Sequence, residues 1–372
     1  MKRRVELKLN GDDISGAVRV PASEDVIAPM STETLEELRK KHPPEHQDAH
    51  FPSKECFGPP SPPVITEELM SAVSSIPCDS AGGPDGLRPR HLKDLLVGLR
   101  DPMSLQLAQA LADLVGLMLD GKVPEDVCPA LYGASLIALL KKTGGIRPIA
   151  VGNTRKIVSK RVMEATGKLI RPQQLGYGTR GGAEAAVHST RAFLSGQTGC
   201  QTLLKLDFRN AFNSVHRDRL LEEAQKFLPE IYPFIFQMYR SPKNLIYGEH
   251  VIPSARGVQQ GDPLGPLLFC LLTRNLSKSL QSPFNVWYLD DATLGGDFEL
   301  VSRDLQTIVE IGPSMSLELN TSKCEFVVCG GTPTQQVTRQ KMKLLCPGVI
   351  FPDKETLTLL GTPVSPKRSL RS

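Results

Sequence analysis

Two apolar, β-prone runs flank a pair of adjacent acids in the stretch Phe284–Gly296, which reads FNVWYLDDATLGG. This pattern predicts a tight hairpin that carries Asp290 and Asp291 at its tip. Two carboxylates this close repel each other and resist joint ionisation unless a cation lies between them. The stretch therefore predicts a metal-binding turn; because Asp is also common in ordinary turns, a simple polar turn is the alternative interpretation.

A third acid in a similar setting favours the metal site. Asp207 follows the strand-like run Thr202–Leu206, and an acid at the end of a buried strand loses its hydration unless another group pairs with it. The local partner of opposite charge that we identify is Arg209. Three carboxylates from two strands can hold two Mg²⁺ ions, which prefer hard oxygen ligands in an octahedral shell.

Three motifs follow one another along the chain, at Asp207–Phe212, Ser254–Phe269 and Tyr288–Asp291. They read DFRNAF, SARGVQQGDPLGPLLF and YLDD. In sequence and in order they resemble the palm motifs of reverse transcriptases of non-LTR retrotransposons. The resemblance extends from about Ala81 to about Val364. Each motif alone is a weak signal, whereas the three in this order are specific.

The resemblance implies an α+β fold, namely a right-hand polymerase with fingers and palm. Its antiparallel palm sheet is expected to have helices on one face, and the thumb to be absent or truncated. The expected organisation is a mixed-charge, largely disordered segment with a proline-rich linker at 1–63, fingers with N-terminal helices at 64–200, a palm with the acids at 201–330, and terminal strands with a primer-grip-like segment at 331–372. A parallel doubly wound fold fits less well, because no phosphate-binding glycine fingerprint follows a strand.

The resemblance also implies catalytic roles. Asp207 and Asp290 would carry two Mg²⁺ ions, with Mn²⁺ as a possible substitute, and Asp291 would be an accessory ligand. The backbone carbonyl of Phe208 would be a further ligand. Lys323 matches the lysine of the family near the leaving pyrophosphate, where it would act as a general acid. An unremarkable exposed lysine is the alternative for this position.

Basic residues lie beside the Gly-Gly turn of a second predicted hairpin, Ala134–Val151. Arginine forks well onto phosphate oxygens, and by resemblance Lys141 and Arg147 would bind the incoming triphosphate. The alternative is a solubilising hairpin tip. The resemblance places further contacts with nucleotide and template at Gln260 and Gly261, in a loop rich in glycine and proline.

Charge is distributed unevenly along the chain. The net charge is only +4, but residues 139–195 contain eleven Lys or Arg against two Glu. Such a segment suits phosphates, although a solvated helix face is the alternative. The eight cysteines form no C-x-x-C pair, which is typical of a reducing compartment. With no signal peptide or long apolar run, we expect a soluble intracellular protein, nuclear or cytoplasmic, with no membrane partner.

Histidines recur every four residues at His42, His46 and His50, with Cys56 beyond them. On a helix this spacing could align zinc ligands. The pair Pro43-Pro44 argues against a helix there, and so against the site.

The predicted function is DNA synthesis on an RNA template, with a DNA primer and dNTPs as partners. Phe212 matches the position at which the family screens the sugar of the nucleotide, and a bulky ring there would exclude a 2′-hydroxyl. The ring could also be part of the apolar core. One alternative is a truncated or repurposed element product that binds nucleic acid without polymerising. A second, an RNA-dependent RNA polymerase, is disfavoured by Phe212 and by the close match at Tyr288–Asp291.

Overall fold

The computed structural model describes residues 26–54, 63–76, 82–96, 101–141, 144–151, 169–196, 201–329 and 332–364. The helices in these ranges are α1 Thr32–Lys41, α2 Thr66–Ser75, α3 Pro89–Leu95, α4 Pro102–Leu119, α5 Cys128–Leu131, α6 Gly182–Ser195, α7 Ala211–Ser214, α8 Arg217–Phe227, α9 Tyr232–Tyr239, α10 Gly265–Ser279, α11 Phe298–Ile311 and α12 Thr332–Leu345. The strands are β1 Val26–Ile27, β2 Ala134–Leu140, β3 Ile146–Val151, β4 Gln201–Leu206, β5 Lys243–Tyr247, β6 His250–Ser254, β7 Phe284–Tyr288, β8 Asp291–Gly296, β9 Glu325–Cys329, β10 Thr358–Leu359 and β11 Thr362–Pro363.

The chain divides into two compact units. The first unit falls within Met1–Val162 and His216–Gly265, and the second within Met163–Val215 and Pro266–Ser372. Each unit therefore draws on two stretches of sequence. The boundaries predicted at 63/64, 200/201 and 330/331 stay predictions.

The first unit is built on a mixed sheet. The predicted hairpin is confirmed, since β2 and β3 pair antiparallel from Ser135↔Val151 to Leu140↔Ile146. Strand β2 also pairs antiparallel with β1 and parallel with β5, which pairs with β6. Alternate residues of β2 point inward and form a core with α1 and with Leu245 and Ile252. The hairpin of β2 and β3 is therefore part of a packed sheet.

A loop from β6 to α10 is fastened to this sheet. The backbone N–H of Ala150 donates to the carbonyl oxygen of Gln260 over 2.6 Å. At the next residue, Gly261, the φ angle is +112°, and a Cβ would collide with the carbonyl oxygen of Ala150. Only glycine adopts such a backbone without strain. Gly261 thus lets the loop approach β3 closely.

The second unit contains an antiparallel sheet in the order β7-β8-β4-β9. Strand β4 lies between β8 and β9, with Leu204 paired to Leu294 on one side and to Phe326 on the other. The hairpin predicted over Phe284–Gly296 is confirmed, since β7 pairs with β8 from Phe284↔Gly295 to Tyr288↔Asp291. The antiparallel sheet expected for a palm is therefore present.

Helices lie on both faces of this sheet, which corrects the expectation of helices on one face. Leu203 clusters with the apolar side of α6, whereas Phe298 of α11 meets the ring of Phe326 edge-on, with 6.2 Å between centroids. Neighbouring residues of a strand point to opposite faces, and both Leu203 and Leu204 are buried. A strand with apolar side chains on both of its faces must be covered by other elements on both sides of the sheet.

One helix in the described ranges, α4, is long and apolar enough to cross a membrane by length and composition. Its mean hydropathy is 1.3, and 33% of the stretch is buried. The core helix of a soluble protein passes the same test, so this is weak evidence for a membrane span. The predicted lack of a membrane partner stays a prediction.

Candidate active site

The two adjacent acids lie where the β7–β8 hairpin turns. Tyr288 pairs with Asp291, so Leu289 and Asp290 form the turn itself. Leu289 has a φ of 57°, in the left-handed region that residues with a Cβ rarely adopt. The tightness of this turn brings both carboxylates to the same end of the sheet.

Asp207 joins them through the register of the central strand. Leu206, the last residue of β4, is paired with Ala292, so Asp207, which follows it, lies at the same end of the sheet as Asp291, which precedes Ala292. The negative charge of Asp207 also contributes to the raised pKa of Asp291, so the two carboxylates lie near each other. The predicted approach of acids from two strands is therefore present in this unit.

The electrostatics agree with this geometry. Burial and the charge of Asp290 raise the pKa of Asp291 to about 6; Lys205 opposes the rise, and Asp207 adds to it. A carboxylate responds in this way when it is taken from water and placed beside like charges. Asp291 therefore resists ionisation beside Asp290, and a cation between the carboxylates would relieve the repulsion.

The carboxylate of Asp207 has a fixed partner, which is not the expected Arg209. Asn320 donates from its Nδ2 to Oδ1 of Asp207 over 2.9 Å, and its backbone N–H donates to the Asp207 carbonyl over 2.8 Å. The backbone N–H of Arg209 donates instead to the carbonyl of Glu318. Asn320 lies 113 residues away in sequence, so local sequence could not identify it.

Phe208 forms an isolated antiparallel bridge with Leu319. The two hydrogen bonds of this bridge use the backbones of the flanking residues, so the carbonyl of Phe208 takes no part in it. The Phe208 ring is buried and stacks on Trp287, with 6.0 Å between centroids. The carboxylates and backbone carbonyls at this end of the sheet are hard oxygen groups, which suit divalent metal ions by their chemistry.

Two other predicted residues lie in the same unit as the acids. Phe212, on α7, is half-buried, and its ring stacks on Phe269 with 4.6 Å between centroids and an interplanar angle of 8°. Lys323 is exposed and ends a short 3-10 turn, where its backbone N–H donates to the carbonyl of Asn320. Phe212 is thus held in a fixed orientation, and Lys323 follows the segment that contacts Asp207.

The first unit brings together the other predicted nucleotide-binding residues. Arg147 is exposed on β3, opposite Leu139, and the backbone of Lys141 closes the hairpin by hydrogen bonds with Gly144 and Gly145. Three residues after Arg147, the β3 backbone bonds Gln260. The basic hairpin and the loop containing Gln260 and Gly261 therefore belong to one sheet assembly.

The sequence model of the family described as "Reverse transcriptase (RNA-dependent DNA polymerase)" matches residues 139–364. The chain belongs to this family. The matched span includes the acids and the β2–β3 turn. The resemblance read from the three motifs is thereby confirmed.

Two curated relatives are retrotransposable element proteins. The SLACS 132 kDa protein of Trypanosoma brucei gambiense is 27% identical over 299 residues, which is 76% of this chain and 24% of that protein. The Pol polyprotein of the type-2 element R2DM of Drosophila melanogaster is 25% identical over 317 residues, 74% of this chain and 27% of that protein. The chain thus spans about a quarter of the length of these relatives.

Solved structures similar to this chain include two telomerases. The apo telomerase of Candida tropicalis, truncated from its C-terminal domain, is 12% identical, with a TM-score of 0.41 over 55% of this chain and 51% of that one. The telomerase of Candida albicans with a fragment of telomeric RNA is 13% identical, with a TM-score of 0.41 over 56% and 43%.

The loop before α10 has an anchor that the sequence did not reveal. Arg217, at the start of α8, is buried and donates to the carbonyls of Ser254 and Gly257 over 2.7 and 2.9 Å. Its guanidinium also lies over the ring of Tyr239, 5.2 Å from the centroid. An arginine at the start of an amphipathic helix usually suggests a solvated position, so no local signal marked it.

The histidines of the N-terminal segment do not line up on a helix. Helix α1 ends at Lys41 and His42 caps it, as the prolines predicted; Cys56 lies outside the described residues. His46 instead reaches Asp218 over 3.3 Å and stacks on His216, with 4.0 Å between ring centroids. Their ligand atoms lie within 4.8 Å of one another. The two rings are stacked with a tilt of 24°, and these contacts connect the segment to the start of α8.

Proposed function

We propose that this chain is the reverse transcriptase domain of a non-LTR retrotransposon and extends a DNA primer on an RNA template with dNTPs. The observation that carries the proposal is the meeting of Asp207 with the Asp290-Asp291 turn in one antiparallel sheet. Membership of the reverse transcriptase family supports the reaction type. The two curated relatives support an origin in a retrotransposon.

The acids would hold two divalent ions, with Mg²⁺ favoured by the all-oxygen donor set and Mn²⁺ as a substitute. Asp207 and Asp290 would be the main ligands, with Asp291 and the carbonyl of Phe208 as accessories. Bound there, the ions would supply activation of the primer 3′-hydroxyl and neutralisation of the triphosphate. Asn320 holds Oδ1 of Asp207 by its amide, so one oxygen is fixed before any ligand arrives.

Lys323 would protonate the leaving pyrophosphate as a general acid. Its position after the Asn320 turn supports this role. Lys141 and Arg147 would bind the triphosphate, and Gln260 and Gly261 would contact the nucleotide and template. Positioning and charge stabilisation are enough for in-line phosphoryl transfer, which needs little covalent help.

The test of the catalytic assignment is Asp290→Asn in the purified chain, with Asp297→Asn as the matched control. Asp297 is an exposed acid of the same unit, whose Oδ1 accepts a hydrogen bond from Gln201. Extension of an RNA-templated primer should fall at least about a hundredfold in Asp290→Asn, because a metal centre contributes several kcal/mol to the rate. Asp297→Asn should keep its activity.

Binding of the primer–template is measured on the same preparations. An inactive wild-type chain that binds the duplex would support a repurposed nucleic-acid-binding protein instead. Full extension by Asp290→Asn would refute the proposed function.

Sugar selection is tested by Phe212→Val. The stacked ring of Phe212 is held by Phe269, so a smaller side chain there opens space for a 2′-hydroxyl. We expect the ratio of dNTP to rNTP incorporation to fall in this variant. An unchanged ratio would show that the ring has only a packing role.

A further inference from the structure

The loop that follows Ile170 lies along the outer strand of the catalytic hairpin. Gln174 forms a parallel bridge with Trp287. The backbone N–H of Trp287 donates to the carbonyl of Gln173, and that of Leu175 donates to the carbonyl of Trp287, each over 2.8 Å. Residues 173–175 therefore add a short edge to β7.

The side-chain amide of Gln174 spans the turn that carries the acids. Its Oε1 accepts from the backbone N–H of Leu289 over 2.7 Å and from that of Gly176 over 3.0 Å. Its Nε2 donates to the carbonyl of Leu289 over 3.2 Å. Gln174 is only 3% exposed, so these bonds replace the water that would otherwise solvate the Leu289 backbone.

Gly176 allows this close approach. A Cβ at Gly176 would lie 2.5 Å from the backbone nitrogen of Leu289 and 2.7 Å from its Cγ. Any side chain at this position would therefore push the loop away from the turn. Gln174 and Gly176 together define a turn clamp, and both act on the residue directly before Asp290.

Leu289 needs such support. Its φ of 57° is unfavourable for a residue with a Cβ and persists only where the surroundings enforce it. Hydrogen bonds to both its N–H and its C=O fix the direction of its two peptide planes. The second of these planes leads into Asp290, so the orientation of that carboxylate depends on the clamp.

We propose that Gln174 is a positioning residue for the metal site, acting through Leu289 on Asp290 and Asp291. This inference rests on the proposed function, because it supposes that the acids bind divalent ions. Residues that orient metal ligands without touching the metal commonly change metal affinity or activity about 10- to 100-fold when they are replaced.

The variant is Gln174→Met, which keeps the volume of the side chain and removes all three hydrogen bonds. The matched control is Gln237→Met in the other unit. Gln237 is 2% exposed, donates to the carbonyl of Val123 over 2.5 Å and accepts from the hydroxyl of Tyr132 over 3.2 Å. Both variants lose a buried, hydrogen-bonded amide, but only Gln174 contacts the turn that carries Asp290 and Asp291.

Metal affinity is measured by titrating Mn²⁺ into the whole chain in a calorimeter, with primer extension against Mg²⁺ concentration as the second readout. In Gln174→Met, the Mn²⁺ Kd and the half-saturating Mg²⁺ concentration should each rise about tenfold. In Gln237→Met both should stay unchanged although its Tm falls. Should Gln174→Met fail to fold, Gln174→Asn retains the amide on a shorter side chain, and the same shift in Kd is expected.

The outcomes separate the two proposals. Equal Mn²⁺ affinity in wild type and in the Gln174 variant, with a loss of Tm like that of Gln237→Met, would overturn the clamp. A wild-type chain that binds Mn²⁺ more tightly than Gln174→Met but extends no primer would support the clamp and refute the polymerase function. A wild-type chain that binds no Mn²⁺ would overturn both.

Discussion

Replacing Asp291 by Asn should stabilise the metal-free protein. Burial, Asp290 and Asp207 raise the pKa of Asp291 to about 6 against the opposing charge of Lys205, so at neutral pH the folded state must charge an acid that resists charging. Asn is nearly isosteric and carries no charge. The substitution removes this penalty together with a proposed metal ligand.

The magnitude follows from the two pKa values. A rise in the pKa of Asp291 from 3.8 to about 6 in the folded state corresponds to a loss of about 3 kcal/mol in the free energy of unfolding. Solvent screens this partly exposed group, so we expect an effect of about 1 to 3 kcal/mol. Because the folded state holds the proton more tightly, the penalty is fully present above about pH 6 and vanishes as the pH falls below about 4. Asp291→Asn should therefore gain stability at pH 7.5 and little at pH 4.

The assay is urea unfolding in EDTA at several pH values, with Asp304→Asn as the control. Asp304 is also buried in this unit, but its carboxylate accepts from the backbone N–H groups of Gln281 and Ser282. Asp304→Asn should lower the free energy of unfolding by about 1 to 3 kcal/mol. Mg²⁺ at a hundred times its Kd should stabilise the wild type by about 3 kcal/mol and Asp291→Asn less. A destabilised or pH-independent Asp291→Asn would refute the reasoning.

Three further substitutions test other parts of the structure. Gly261→Ala should abolish primer extension and lower Tm, because its Cβ collides with the carbonyl of Ala150; activity near the wild-type level would contradict the close approach. Lys243 is fully buried, and burial lowers its pKa from 10.5 to about 8. The folded state therefore loses this proton at a lower pH than the unfolded state, and the free energy of unfolding should rise between about pH 8 and 10.5. Lys243→Met should increase the free energy of unfolding at pH 7 by up to about 3 kcal/mol, and urea unfolding of the variant should show a smaller rise over this pH range. Asn320→Ala frees Oδ1 of Asp207 and should raise the half-saturating Mg²⁺ concentration about tenfold, whereas an unchanged Mg²⁺ titration would show that the amide does not position the acid.

Short-range patterns predicted the core of the site. Asp290 and Asp291 lie between two β-prone runs, so the hairpin could be predicted from the local residue pattern and the turn-forming acids. The same holds for the hairpin of β2 and β3. Asp207 was identified as a similar acid at the end of a strand, but local sequence could not show the pairing of β4 with β8, which joins residues almost ninety positions apart.

The supporting residues could not be predicted, since their partners are distant in sequence. Asn320 contacts Asp207 across 113 residues and Gln174 contacts Leu289 across 115. Neither amide has a local signal that separates it from a surface polar residue. The helical cover on both faces of the sheet was not predicted, although the adjacent apolar residues Leu203 and Leu204 of β4 carry a signal for it.

The position of each acid in the sheet determines which part of the site unfolds first. Asp207 follows β4, which lies between two full strands, whereas Asp290 and Asp291 belong to a hairpin whose strand β7 has β8 on one side and the short edge of residues 173–175 on the other. Marginal strands open more readily than interior ones, well below the denaturant concentration of global unfolding. Amide exchange in the peptide 284–291 should therefore outpace exchange in β4. The ability to bind ions would then be lost while most of the chain is still native.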